Sequence, residues 1–399
     1  MPLDAPIGAR FDVSRESDRL DGRASRQWAT RPTDERFLSM EELIASLQTR
    51  KQRSTAQTVR LGSIAPTLIG DALGFEVDGV PLEPTNYSFN QLCQEIAAPA
   101  GYLSRMSGDA ALVKQCLDHG FRTADDTGRD VGMLSTTADL ATGIGQMRGV
   151  TGPNYGRIWD LEVAEAIDKI TKRSGVRWKV PTAFRTADGK GAFGRQYECI
   201  DPTRDSTTLY AGDRDIFLFL VDEEHPIEAG FLPDGTPDLY FRGFYAWNGE
   251  CGGVSNGVGT FLYRYICENR NIWGQRGFQR ISINHTKHAA ERFVSLLIPA
   301  LEAFCNGSTD GIVSAIEASR RARIARDDTE RLDFLTRLDF GPKEAATIMQ
   351  RCMDEEGRPI ETIYDAQQAI TSYARTFGNQ DRRVDLERQA GKLMDLVAA

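Results

Sequence analysis

The residues best suited to chemistry lie between positions 237 and 289, in PDLYFRGFYAWNGECGGVSNGVGTFLYRYICENRNIWGQRGFQRISINHTKHA. Asn248-Gly249-Glu250-Cys251-Gly252 is a polar turn bounded by glycines, which adopt positive φ without strain. Asn248 and Glu250 either tie that turn to the backbone or line a groove, and a Glu in a groove is a candidate acid or base. Downstream, Arg264, Arg270, Arg276, Arg280 and Lys287 stand against the single acid Glu268, with Tyr263, Tyr265, Trp273 and Phe278 interleaved. Arginines for phosphates and aromatics for bases are what a single-stranded nucleic-acid groove uses. The competing reading places the aromatics in a core and the arginines in ion pairs.

Other motifs carry less. Gly253-Val254-Ser255-Asn256-Gly257 has the spacing of a hydrolase elbow, but His285 and His288 follow too soon for the usual order of an acid and then a histidine. His285-x-x-His288 lacks further ligands at metal spacing, so no metal site is expected. Gly143-x-Gly145-x-x-x-Gly149 misses the dinucleotide fingerprint, there is no phosphate-binding Gly-x-x-x-x-Gly-Lys, and no motif implies a cofactor. Asp222-Glu223-Glu224-His225 follows an apolar strand and reads as a surface turn with acids. Arg320, Arg321, Arg323 and Arg326, followed at once by acids, read as a solvated, salt-bridged helix face.

The chain has 399 residues and a net charge of −9, which excludes a histone-like, wholly basic surface but not a local basic groove. Its seven cysteines show no CxxC spacing, as expected of reduced thiols in a cytoplasm. No apolar run approaches the roughly 18 residues of a membrane span, and the N-terminal residues lack a secretory apolar region.

The elements that must position these residues follow from the pattern. Residues 1–37 lack periodicity and read as an extended arm. Ser39 with Glu42 caps a helix from Met40 to about Arg50. Thr58–Ile64 and Gly74–Val80 read as strands, with Asp78-Gly79 turning into Val80–Leu82. Ser88-x-x-Gln91 opens a helix over 89–97, and Asp109 caps another to about Gly120. Val131–Thr136 and Ile144–Thr151 pair as strands, and Asp160 caps an amphipathic helix. Val176–Phe184 and Asp215–Val221 are strands, the latter an almost continuous apolar run and therefore central and buried. Residues 185–214 are an exposed excursion, Leu239–Trp247 a strand, and Thr260 to about Asn271 a helix. Lys287–Phe304 is a helix kinked at Pro299, and helices alone complete the chain: Ile312–Arg326, Lys343–Asp354, Thr362–Thr376 and Arg382–Val397. The expected fold is α+β, a mixed or antiparallel sheet with packed helices and a helical C-terminal part. The expected divisions are an arm and short helix over 1–56, an α+β core over 57–310 and a helical region over 311–399.

Several blocks, in order, resemble the phage- and plasmid-borne proteins of domain-of-unknown-function family 932. They are Phe89-Asn90-Gln91-Leu92 with Ala98-Pro99-x-x-Tyr102-Leu103; Arg148-Gly149-Val150-Thr151 leading to Tyr155; Asn248-x-Glu250-x-Gly252; Arg264-x-x-Cys267-x-Asn269; and Thr362-Ile363-Tyr364-Asp365 with Ala369-Ile370-Thr371. The likeness covers roughly residues 58–377; Gly249 stands where the family's turn has Ser, and Thr151-Gly152-Pro153 replaces its polar run before the tyrosine. The resemblance implies a mobile-element protein in a bacterial cytoplasm. It makes Arg148, Tyr155, Asn248, Glu250, Arg264 and Asn269 candidates for one shared groove.

The leading expectation is a nucleic-acid-binding protein, of the single-stranded DNA binding or annealing kind or one that counters host defence. Its contacts would come from Arg148, Tyr155, Arg157, Asn248, Glu250, Arg264, Asn269, Arg270, Trp273, Arg276 and Arg280. The alternatives are an enzyme acting through a carboxylate groove around Glu250 and a structural protein that assembles into homo-oligomers. No membrane partner is expected.

Overall fold

The structure, a computed structural model, describes residues 33–397 except 107, 125, 182, 187–196, 205–206, 232–234, 236, 265–268, 272–279 and 378–379. For Tyr263, Asn269, Arg270 and Arg280 the backbone alone is described. The fold is α+β with a helical C-terminal part.

The first strand, β1 (Arg36–Phe37), is followed by α1 (Met40–Gln52). Ser39 Oγ accepts from the Glu42 amide at 3.1 Å, and the Glu42 carboxylate accepts from Leu38 N–H at 2.8 Å, so two orphan donors are satisfied. The end of the expected arm is therefore not free: β1 pairs with a strand at residues 209–210 and Phe37 is buried. Residues 1–32 of that arm lie outside the described residues.

Six strands follow as one sheet: β2 (Ser54–Arg60), β3 (Ala65–Ile69), β4 (Ala72–Val77), β5 (Val80–Pro84), β6 (Asp130–Thr136) and β7 (Gly145–Thr151), ordered β2-β6-β7-β5-β4-β3. All pairs are antiparallel except β5 with β7. Asp78 and Gly79 turn β4 into β5 with φ of 51° and 78°, as the Asp-Gly pair predicts. Helices α2 (Asn86–Glu95), α3 (Ala100–Ser104) and α4 (Ala110–Thr123) bury the core of this sheet, including Phe75, Phe89, Leu92, Val113 and Met147. Asp109 caps α4 as expected, its carboxylate accepting from Leu112 N–H. The cap of α2 is Thr85 rather than Ser88: Thr85 Oγ1 accepts from the Ser88 amide, while Ser88 Oγ donates to the Met147 carbonyl on β7.

The second sheet is antiparallel. In chain order it contains β1, then, after α5 (Asp160–Arg173), β8 (Trp178–Lys179); among the described residues β9 (Ala183–Thr186) and β10 (Tyr197–Ile200) pair only with each other. It continues with β11 (Leu209–Ala211), β12 (Ile216–Asp222), β13 (Ile227–Phe231), β14 (Pro237–Asn248), β15 (Asn256–Arg264), β16 (Asn269–Asn271) and β17 (Arg280–Ile283). Its spine is β1-β11-β12-β14-β15-β16, with β8 on β12, β13 on β14 and β17 on β15. The apolar run 216–221 is buried at every position, as its composition predicts, and Asp222 at its end is buried too. The 185–214 excursion is not simply exposed, because β11 returns to the sheet and Leu209 is in the core.

Residues 260–271 are not a helix: β15 and β16 occupy the described part. One face of the sheet carries Leu218, Leu220, Phe244, Ala246 and Val258 into the core shared with α1, α5 and the helix after β17. The other face is an aromatic cluster of Phe217, Phe219, Tyr245, Trp247 and Phe261. Across β14 and β15, Trp247 and Tyr245 stand opposite Gly257 and Gly259, and Gly243 opposite Phe261. Glycines let the rings lie on the strand opposite, so the alternation in β15 is present but carries little hydropathy.

After β17, α6 (Ala289–Arg292) runs through one π-helical segment, Phe293–Leu297, into α7 (Ile298–Cys305). The expected irregularity at Pro299 is thus a π segment just before it, with the proline in the first turn of α7. Helices α8 (Asp310–Arg321), α9 (Asp328–Arg337), α10 (Pro342–Glu356), α11 (Ile363–Ala374) and α12 (Gln380–Asp395) finish the chain. Leu335, Ile348, Ile370, Leu386 and Leu393 make a core of the C-terminal helices, separate from those of the two sheets.

A Cβ at Gly259 would fall 2.6 Å from the Tyr245 ring, whereas one at Gly101 in α3 meets nothing within 4 Å. Gly259→Ala is expected to lower stability by about 1–3 kcal/mol through overpacking, and Gly101→Ala to be neutral or stabilising by up to about 1 kcal/mol. Denaturant melts of both variants check this; a harmless Gly259→Ala would contradict the described face packing.

Candidate functional site: two buried ion clusters

The turn joining β14 to β15 is a docking point. Its glycines at 252 and 253 have φ of 99° and 85°, and a Cβ on Gly253 would fall 2.0 Å from the Tyr87 hydroxyl of α2. On the other side β7 approaches so closely that a Cβ on Gly149 would meet Cys251 backbone and side chain at 3.0–3.2 Å. Gln91 of α2 bridges the two, donating to the Cys251 carbonyl at 2.9 Å and accepting from Val150 N–H at 2.8 Å. Gln91 therefore closes an inter-sheet contact rather than the capping box its position predicts.

Between these surfaces lie four charged side chains, three of them buried and the fourth, Arg50, partly so. Arg148 on β7 donates to the Glu250 carboxylate and, at 2.8 Å, to Ser54 Oγ. Glu250 also accepts from Asp160 N–H at 3.0 Å, at the start of α5, and meets Arg50 of α1 at 3.5 Å. Arg50 pairs with Asp160 at 2.8 Å, and Asn248 donates to Asp160 at 2.6 Å and to the Ile158 carbonyl at 2.9 Å. Tyr155 donates to the Gly249 carbonyl and Arg157 to the Glu250 carbonyl. Two cations and two carboxylates balance, so the burial is tolerable only while all are present. Burial would raise Glu250, but Arg50, Arg148 and the Asp160 amide hold it at about 2. Burial and the neighbouring Glu250 carboxylate push Asp160 the other way, well above the usual carboxylate range, although Arg50 and Asn248 counter it.

Arg264 belongs elsewhere. It is on β15, not a helix, and its partner is not Glu250. Its guanidinium forks onto Asp238 at 2.8 and 3.1 Å and reaches Glu356 of α10 and Gln368 of α11. Tyr364 donates to Asp238 at 2.7 Å, and Arg320 also pairs with Asp238 while lying 4.6 Å from the Tyr364 ring centre. The expected solvated arginine face is thus partly buried: Arg320 turns inward, whereas Arg321 and Arg323 pair with Glu317 and Glu361 at the surface.

The structure gathers Arg148, Tyr155, Arg157, Asn248 and Glu250 around one turn but does not place Arg264 with them. Nor is that gathering an open groove: Arg148, Asn248, Glu250 and Arg264 are all below 4% exposed and engaged with protein partners. The backbone of Asn269, Arg270 and Arg280 lies on β16 and β17; Trp273 and Arg276 fall outside the described residues. Sequence reasoning missed Arg50, Asp160 and Gln91 as cluster members, and Asp238, Glu356 and Gln368 as partners of Arg264.

The remaining motifs resolve locally. Ser255 accepts from Trp247 Nε1 at 3.3 Å and meets Ser282 Oγ at 2.8 Å, in a hairpin turn rather than a strand-to-helix elbow. His285 stacks on Tyr155 and donates from Nδ1 to the Gly156 carbonyl, while His288 pairs with Glu291. Asp222 is buried against Arg242 and accepts from the Glu224 and His225 amides, closing a turn. Among the described residues no three His, Cys, Asp or Glu side chains group as a metal site, and no helix is long and apolar enough to cross a membrane.

Removing one member of such a cluster leaves an opposite charge buried, at about 3–5 kcal/mol. Glu250→Gln and Arg264→Ala are each expected to lower stability by that order. The pH signs differ within the first cluster. Glu250 is lowered, so its contribution is full above its unfolded value of 4.5 and fades as pH falls towards about 2. Asp160 is raised, so its ionisation opposes folding as pH rises above its unfolded value of 3.8. Glu250→Gln should therefore flatten the loss of stability as pH falls from about 4.5 to 2, and Asp160→Asn should remove the loss that Asp160 ionisation imposes as pH rises above 3.8. Urea melts over a pH series read both; equal, pH-independent losses would contradict the assignment.

The chain matches no family model, no curated protein and no solved structure.

Proposed function

We propose that the chain binds single-stranded nucleic acid along the outer side of β15, through Arg270, Trp273, Arg276 and Arg280. The observation that carries this is one of topology. β16 and β17 both hydrogen-bond to β15 on its side away from β14, with Arg270 opposite Tyr263 and Arg280 opposite Gly259. The two arginines thus stand at one sheet edge, about 13 Å apart along the strand. The 272–279 connection between those strands carries Trp273 and Arg276, so the segment from Arg270 to Arg280 starts and ends at this edge. In a chain of net charge −9 this is where phosphates would be favoured. Arg148, Tyr155, Arg157, Asn248, Glu250 and Arg264 then act as scaffold, because each makes side-chain hydrogen bonds within the protein. The same engagement argues against acid–base catalysis by Glu250, whose carboxylate is held by two arginines and an amide. A role in annealing or in countering host defence, in a bacterial cytoplasm and on a mobile element, rests on the family resemblance.

A labelled single-stranded DNA titrated over a salt series tests the reading, with duplex DNA and RNA alongside. The affinity should fall with salt at a slope of about −0.7 per contacted phosphate. Arg270→Ala should weaken binding and reduce that slope by less than one unit. Trp273→Ala should weaken it by about 1–3 kcal/mol with the slope nearly unchanged. Absence of binding to any nucleic acid at low salt would sink the proposal.

A further inference from the structure

The two edges of the six-stranded sheet are finished differently. At one edge β3 carries Pro66, which has no N–H to offer, and α4 lies against it. At the other edge β2, Ser-Thr-Ala-Gln-Thr-Val-Arg, has no proline and no charge before Arg60. It pairs with β6 in unbroken register from Ser54↔Thr136 to Arg60↔Asp130, so no bulge twists it away. Thr55, Ala56, Gln57 and Thr58 are exposed in succession, which leaves both faces as well as the edge uncovered there. Natural edge strands are normally guarded by charge, proline, bulge or cover, and among the described residues β2 has none of these over 55–58.

The direction of its free groups is fixed. The Arg53 carbonyl accepts from Thr137 N–H, and Leu61 N–H donates to the Arg129 carbonyl. Odd-numbered residues therefore bond to β6, and the backbone groups of Ala56 and Thr58 point outward. We propose that this edge pairs with the same edge of a second copy of the chain, antiparallel about a two-fold axis at Gln57. In that register Ala56 of each copy faces Thr58 of the other, and each such pair can exchange both backbone bonds. Arg60 faces Ser54 rather than another arginine, so no like charges meet. The polar side chains fit a contact made chiefly by main-chain bonds, as in β-strand addition. The pairing is independent of the nucleic-acid reading, because β2 belongs to the other sheet.

Sedimentation of the full chain over a concentration series tests it, in wild type, Thr58→Pro, Gln57→Lys and Gln57→Cys. Wild type should form a dimer. Thr58→Pro removes an outward N–H and leaves the β6 ladder, so the dimer should weaken about tenfold or more at unchanged melting temperature. Gln57→Lys sets two cations about 4.5 Å apart at Cα across the axis and should do the same without touching the backbone. Mild oxidation of Gln57→Cys should give a disulfide-linked dimer absent from oxidised wild type, because non-hydrogen-bonded pairs have the right spacing. A wild type that stays monomeric throughout overturns the proposal. So does a dimer that survives both Thr58→Pro and Gln57→Lys and does not crosslink through position 57, which would point to another surface.

Discussion

The contact between Arg148 and Glu250 is the constraint on which the arrangement of this molecule depends. One partner is on a strand of the six-stranded sheet and the other in the turn that ends the longest strand of the second sheet. Both are almost fully buried, so neither can be released to water without separating the layers. Around them the sequence is shaped to permit the approach. Gly149 has no side chain to strike Cys251, Gly253 leaves room for the Tyr87 ring, and Gln91 satisfies a donor and an acceptor at the seam. Arg50 and Asp160 then bring α1 and α5 to the same point.

A second buried arginine repeats the device at the other end of the β14–β15 hairpin. Arg264 joins the second sheet to α10 and α11 through Asp238, Glu356 and Gln368, with Tyr240 and Tyr364 closing the sides. Buried ion pairs add little net stability compared with apolar packing, but half of one is strongly unfavourable. Their effect here is on specificity: each cluster is satisfied in one mutual placement of the elements it joins. The same engagement explains why Arg148, Asn248, Glu250 and Arg264, which the family resemblance made candidates for one groove, do not amount to a ligand groove.

Much of the fold was legible where the signal was local. The apolar run 216–221, the Asp78-Gly79 turn and the caps at Ser39 and Asp109 each act over a few residues, and each appears as read. The strand β15 was read as a helix because Gly257 and Gly259 give its aromatic-facing side no side chains, leaving Phe261 to be counted with residues beyond the strand. The turn around Glu250 was legible as special through its glycines and polar pair. What it does was not, because Arg148, Asp160 and Arg50 are 102, 90 and about 200 positions away in sequence. Arg264 failed for the same reason: Glu356 and Gln368 are 92 and 104 residues distant.

The most direct test of the central claim is native-state hydrogen exchange on an Arg148→Met variant. If the buried pair holds the layers together, amides of β6 and β7 in one sheet and of β14 in the other lose protection together and by similar free energies. Loss confined to β7 and its immediate neighbours, with β14 as protected as in the wild type, would show that the two sheets are held in place by something other than this contact.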